Sequence, residues 1–132
     1  MAKPSSLFNH IALYVKDIHV SRKFYDPVLT ELGMELTHDF GEYGYFGYTQ
    51  KAGGQGAEFG FANGNGKEGK CHVAFNADSK DTVKKYYDNA IAAGGQDNGG
   101  PGLRTQYGPS YYAAFVLDPD GNNIEFCYMG SD

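Results

Sequence analysis

Cysteine is scarce in this sequence, with Cys71 and Cys127 the only two. Two thiols are too few for a disulfide scaffold, so the fold has to rest on a packed core. A reduced setting, the cytoplasm, is expected. Positive charge is also short: 11 Lys and Arg stand against 16 Asp and Glu, for a net charge of −5. With no basic run, neither nucleic acid nor an anionic membrane is expected as a partner. No apolar stretch is long enough to cross a bilayer. No signal-peptide pattern is expected ahead of Leu7, and residues 1–6 read as a short loose arm. Aromatic residues, by contrast, are plentiful, with 11 Tyr and 9 Phe. Cross-strand packing is the ordinary use of so many rings, and lining an amphipathic cleft is the other. At 132 residues the chain is long enough to bury a real core, and we expect one domain over 7–132.

The chain contains itself twice. The stretch from His10, HIALYVKDIHVSRKFYDPVLTELG, aligns without a gap on the stretch from His72, HVAFNADSKDTVKKYYDNAIAAGG. His10 falls on His72, Ala12 on Ala74, Lys23 on Lys85, Tyr25 on Tyr87, Asp26 on Asp88 and Gly33 on Gly95. A second match pairs AEFGF at Ala57–Phe61 with IEFCY at Ile124–Tyr128, which places Glu58 on Glu125. Each half therefore opens a strand with His and closes one with Glu. Two copies are too few for a solenoid.

The pattern of each half reads βαβββ, which makes the fold α+β. Phe8–Val15 alternates as a strand. Asp17 can cap a helix whose apolar face carries Val20, Phe24 and Val28, with a kink or break expected at Pro27 and a C-cap at Gly33. Strands follow at Met34–Phe40, Tyr45–Gln50 and Ala57–Ala62. The modules span about 8–62 and 70–129, joined by a Gly-rich linker at 63–69. In the second half Cys71–Ala77 is a strand, and Ser79 or Asp78 caps a helix that runs to about Ala93. A weak strand lies near Gly95–Asn98, and Gly99–Pro109 is a long loop. The strands Tyr111–Leu117 and Asn123–Met129 are joined by the turn Asp118-Pro119-Asp120-Gly121-Asn122.

Strand alternation sorts the ionisable residues from the large apolar ones. Ile11, Leu13 and Val15 share one face, with His10, Ala12 and Tyr14 on the other. Val73 and Phe75 oppose His72, Ala74 and Asn76. Phe59 and Phe61 oppose Glu58, Gly60 and Ala62, and Ile124, Phe126 and Tyr128 oppose Glu125, Cys127 and Met129. The apolar faces can pack under helices. The other faces would line a trough with small residues beside each His or Glu. A buried carboxylate without a partner is costly, and a divalent cation would satisfy two at once. His10, Glu58, His72 and Glu125 form an N₂O₂ donor set without the thiolates of a structural zinc site. That set suits Zn, Ni, Co, Mn or Fe, with open positions for water or ligand.

The segments HIALYV, AEFGF, HVAF and DPDGNNIEF resemble the vicinal oxygen chelate superfamily over nearly the whole chain, about Leu7 to Met129. That superfamily includes glyoxalase I, extradiol dioxygenases, fosfomycin-modifying enzymes and bleomycin-sequestering proteins. The resemblance implies an open, cupped, eight-stranded mixed sheet around a metal. It also implies a glyoxalase-like lyase or isomerase acting on a small oxygenated substrate. His10, Glu58, His72 and Glu125 fall on the metal ligands of the glyoxalase I type. The same analogy makes Glu125 the leading catalytic base and Glu58 its symmetric partner, with the metal as Lewis acid. Many such enzymes carry an Arg four residues after the first His to hold glutathione. Tyr14 stands there instead, which weakens the case for a glutathione substrate. Arg104 is a candidate for an anionic group, and Tyr107 and Tyr111 are candidates for the substrate wall. Of the adjacent Tyr111 and Tyr112, at most one can point into the trough.

Two other readings remain. An extradiol-type dioxygenase needs only His10, His72 and Glu125 on Fe(II), and Glu58 would then block a position that oxygen needs. A non-catalytic binding protein would sequester an aromatic or chelating compound, although such members commonly lack the full ligand set. A homodimer is expected, with the site built within one chain or across two.

Overall fold

The structure is a computed structural model that describes residues 7–50 and 57–130. The expected loose arm at 1–6 lies outside the described residues. Two compact units divide between Gly69 and Lys70.

In the first unit, β1 (His10–Val15), α1 (Ile18–Glu31), β2 (Met34–Phe40), β3 (Tyr45–Gln50) and β4 (Glu58–Asn63) follow in order, with a single 3₁₀ turn at Gly41–Tyr43 between β2 and β3. The sheet order is β1-β4-β3-β2. β1 runs parallel to β4, and the other pairs are antiparallel. Asp17 caps α1, its carboxylate accepting from the His19 amide at 2.8 Å. At the other end Gly33 takes φ +87°, a conformation that costs a glycine little.

Two details of α1 differ from expectation. The helix continues through Pro27 without a break. Pro27 sits on the exposed side, so the hydrogen bond it forfeits lies away from the core, while Tyr25, Val28 and Leu29 are buried. Val20 is 49% exposed, and the packed face is instead Ile18, Ser21, Phe24, Tyr25, Val28 and Leu29. This face meets Phe59 and Phe61. Tyr25 stacks on Phe61 at 5.1 Å between ring centroids and lies 5.3 Å from Phe59. Ile11 shares a strand face with the buried Leu13 and Val15 but is itself exposed. The expected linker is also shorter, because Asn63 ends β4. The Asn63 side chain accepts from the Ile18 amide at 3.2 Å, and the Gly64 amide donates to Val15.

The second unit holds β5 (His72–Asn76), α2 (Lys80–Ala92), β6 (Gln96–Asp97), β7 (Gly102–Leu103), β8 (Tyr112–Leu117) and β9 (Asn123–Tyr128). β5 pairs parallel with β9, and β9 with β8 antiparallel. β6 and β7, two residues each, both pair with β8. The long loop expected at 99–109 thus contributes a strand. Nine strands in sheets of four and five stand among the described residues, where eight were expected. Gly99, at φ +142°, and Pro101 separate β6 from β7. Ser79 caps α2 by accepting from the Thr82 amide at 3.0 Å.

The Asp118–Asn122 turn is a clip. One Asp118 carboxylate oxygen accepts from the amides of Asp120 at 2.9 Å and Asn122 at 2.8 Å, and the other accepts from the Asn122 side-chain amide at 2.9 Å. The Asn122 side-chain oxygen in turn accepts from the Cys71 amide at 2.8 Å, tying the β8–β9 turn to the start of β5. Both Asp118 and Asn122 are buried. Asn122→Ala removes two of these hydrogen bonds, to Asp118 and from the Cys71 amide, and is expected to destabilise the fold by about 1–3 kcal/mol. Urea unfolding measures this, and an unchanged midpoint would show that the clip is dispensable.

Candidate functional site

Each unit carries a carboxylate on its inner strand, held by a tyrosine and approached by a histidine. In the second unit Glu125 lies on β9, and only 2% of it is exposed. One of its oxygens meets His72 Nε2 at 2.8 Å, and the other accepts from the Tyr111 hydroxyl. His72, Glu125, Tyr111, Tyr107, Phe115 and Asn123 line a cleft of about 470 Å³. The alternation read from the sequence holds here. Phe75 and Tyr86 pack against Phe126 on the helix side, whereas Glu125 faces the cleft. Tyr111 points into the cleft, and the adjacent Tyr112 is buried with Lys80 over its ring at 5.7 Å.

The charge of Glu125 marks its neighbours. The hydrogen bond to Glu125, followed by burial, pushes the Tyr111 phenol far above the ordinary tyrosine range. Burial, followed by the charge of Glu125, pushes the Cys127 thiol up. Tyr107 meets Tyr111 edge-on at 5.5 Å. Arg104 does not line the cleft. Its guanidinium donates to the Gly100 carbonyl at 2.7 Å and packs over the Phe115 ring at 5.3 Å.

In the first unit, Glu58 on β4 accepts from the Tyr45 hydroxyl, while its other oxygen lies 3.4 Å from His38 Nδ1. Burial, with the Glu58 hydrogen bond next, raises the Tyr45 phenol as well. His10 stands directly opposite Glu58 in the β1–β4 register, but its Nδ1 is engaged with Asn9 at 2.8 Å. Tyr14 is half exposed and pairs in register with Ala62, on the same face as His10. The open space expected above Gly60 is filled. A Cβ there would land on the Tyr45 hydroxyl, and a Cβ on Gly47 would lie 2.9 Å from the Glu58 Cδ.

Sequence reasoning missed Tyr45 and His38. His38 is delivered by a β-bulge: the β2–β3 register shifts between Leu36 and His38, which sets His38 opposite Gly47 rather than Phe46. The shift turns His38 to the Glu58 side, and no alternation pattern shows a bulge in advance. The repeat also misplaces the histidines. His10 is opposite Glu58, whereas His72 is opposite Asn123, and Ala74 is opposite Glu125. The two histidines share a face type but not a rung of the ladder.

Among the described residues, no three His, Cys, Asp or Glu side chains converge on one point. The second unit fits part of a coordination shell. Two donors each about 2.1 Å from one ion, at right angles, lie roughly 3 Å apart, and His72 Nε2 and Glu125 Oε1 are separated by 2.8 Å. Imidazole and carboxylate donors suit first-row divalent ions.

Comparison with known proteins agrees with this architecture. The sequence model of the Glyoxalase/Bleomycin resistance protein/Dioxygenase superfamily matches residues 7–126. The chain therefore belongs to that superfamily. Among solved structures it is similar to a glyoxalase/bleomycin resistance protein from Albidiferax ferrireducens T118, with 29% identity, coverage of 92% of this chain and 97% of that one, and a TM-score of 0.72. A glyoxalase/bleomycin resistance protein/dioxygenase family enzyme from Burkholderia phytofirmans PsJN has 22% identity, coverage of 92% and 98%, and a TM-score of 0.73. A lactoylglutathione lyase from Agrobacterium tumefaciens has 20% identity, coverage of 95% of each chain, and a TM-score of 0.70. At the identities of the last two, the likeness is one of fold. No curated protein matches the sequence.

Proposed function

We propose that this chain is a metal-dependent, glyoxalase-like lyase or isomerase acting on a small oxygenated substrate. His10, Glu58, His72 and Glu125 provide the ligand set for one divalent ion of the Zn, Ni, Co, Mn or Fe group, in one chain or across a homodimer. The supporting observation is the His72–Glu125 pair, 2.8 Å apart and opening on a cleft walled by Tyr107, Tyr111 and Phe115. A cation held there supplies Lewis-acid polarisation of substrate oxygens. Glu125, once released from the ion, would move a proton between adjacent substrate carbons, with Glu58 as the second carboxylate. The rings of Tyr107 and Phe115 hold an apolar portion of the substrate, and Asn123 offers an amide to its oxygens. Among the described residues the cleft lining carries no Lys or Arg, which argues against a multiply anionic thiol adduct such as one of glutathione.

Elemental analysis of protein purified without a metal-affinity tag tests the reading. A bound first-row ion, together with solvent-proton exchange into a hydroxycarbonyl substrate, supports it. Metal-free protein that takes up no ion and exchanges no proton counts against it. One observation favours a second reading, sequestration without turnover: Tyr111 and His72 together satisfy both oxygens of Glu125. Tight binding of an aromatic ligand by protein that takes up no metal would select that reading.

A further inference from the structure

The two units share one device that the ligand set alone does not require. In the first, Gly47 is paired with Gly60; Tyr45 stands two residues before Gly47, and Glu58 two before Gly60. In the second, Ala113 is paired with Cys127; Tyr111 stands two residues before Ala113, and Glu125 two before Cys127. A pair of small residues thus lies between a tyrosine on one strand and a glutamate on the next. In each unit the phenol reaches the carboxylate across that pair. The Tyr45 ring crosses so closely that a Cβ on Gly60 would strike its hydroxyl and approach the Phe46 carbonyl oxygen to 2.7 Å. In both units the tyrosine takes one carboxylate oxygen, and an imidazole faces the other, His38 at 3.4 Å and His72 at 2.8 Å.

We infer that Tyr45 and Tyr111 are positioning residues for Glu58 and Glu125: each hydroxyl occupies one oxygen, so each carboxylate presents a single oxygen to a cation. This rests on the metal reading above. The physical reason is that a hydroxyl donating to a carboxylate makes a charge-assisted bond that fixes the rotamer and removes one oxygen from competition. Groups beyond the direct ligands commonly set metal affinity in this way.

The test uses Tyr111→Phe, Tyr45→Phe and Gly60→Ala in the full chain, with Co²⁺ as the probe. Each Phe variant is expected to lower Co²⁺ affinity by about 10–100-fold and to alter the visible cobalt spectrum, as a second oxygen becomes free to bind. Gly60→Ala, whose Cβ displaces the Tyr45 hydroxyl and also presses on the Phe46 carbonyl, should lower Co²⁺ affinity at least as far as Tyr45→Phe. Wild-type affinity and spectrum in both Phe variants would overturn the assignment, whatever their melting temperatures. If the wild-type protein takes up no cobalt, the metal reading falls, and metal-free crystal structures then decide on the tyrosines. A Glu125 or Glu58 carboxylate displaced in its Phe variant supports a positioning role, and an unmoved carboxylate refutes it.

Discussion

Glu125→Ala is expected to lower affinity for a divalent ion by at least about 100-fold, more than the loss of a supporting hydroxyl does, and to abolish turnover. The carboxylate is the acceptor for both Tyr111 and His72 at a position that is 2% exposed. Its removal takes away a ligand atom and the proposed base together. It also removes the hydrogen-bond partner of Tyr111 and of His72, whose side chain is 54% exposed and can turn to water, so the stability loss should be about 0.5–1.5 kcal/mol. Glu125→Gln separates the two consequences. The amide oxygen still accepts from Tyr111, so stability should stay near wild type, whereas a neutral amide is a weak ligand and no base. Titration with Co²⁺ beside urea unfolding reads both quantities. Turnover by Glu125→Ala at the wild-type rate would remove Glu125 from the chemistry.

Phe61→Ala is expected to destabilise the protein by about 3–5 kcal/mol. Phe61 is fully buried, and its ring meets Tyr25 at 5.1 Å, Tyr48 at 5.9 Å and Phe46 at 6.0 Å. This aromatic cluster joins α1 to β3 and β4, so the cavity cannot close by the shift of one neighbour. Against a total stability on the order of 5–15 kcal/mol, the loss should move the urea midpoint strongly. Val20→Ala, on the exposed side of α1, should change stability by no more than about 0.5 kcal/mol. Similar midpoints for the two variants would mean that the cluster does not hold the first unit together.

The sequence pattern made the βαβββ order of the first unit, both helix N-caps and the inward face of Glu125 legible. These depend on short-range chemistry: an Asp or Ser before a helix, a glycine after it, and strict alternation along β9. Alternation allowed only one of Tyr111 and Tyr112 to face the cleft, and the hydrogen bond from Tyr111 to Glu125 lies between strands, where no local pattern shows it. Tyr45 was not legible, because its role depends on lying diagonally over Gly47 and Gly60, a contact between strands that no local pattern displays. His38 was hidden by a bulge that reverses the face predicted from Leu36. The equivalence of His10 and His72 was legible as sequence and misleading as register, because the parallel pairing of β1 with β4 and of β5 with β9 is set between strands. Val20 was misread because a three-residue helical stripe can be drawn in more than one direction, and the packing of Tyr25 and Leu29 decides which stripe is buried.

The most direct measurement is the stoichiometry of Co²⁺ or Zn²⁺ uptake by chelator-stripped protein. The wild type is compared with a first-half variant, His10→Ala with Glu58→Ala, and a second-half variant, His72→Ala with Glu125→Ala. One ion per chain, lost in both variants, is the predicted result. No uptake by the wild type, or uptake that survives both pairs of substitutions, would contradict a cation shared by the two His–Glu pairs.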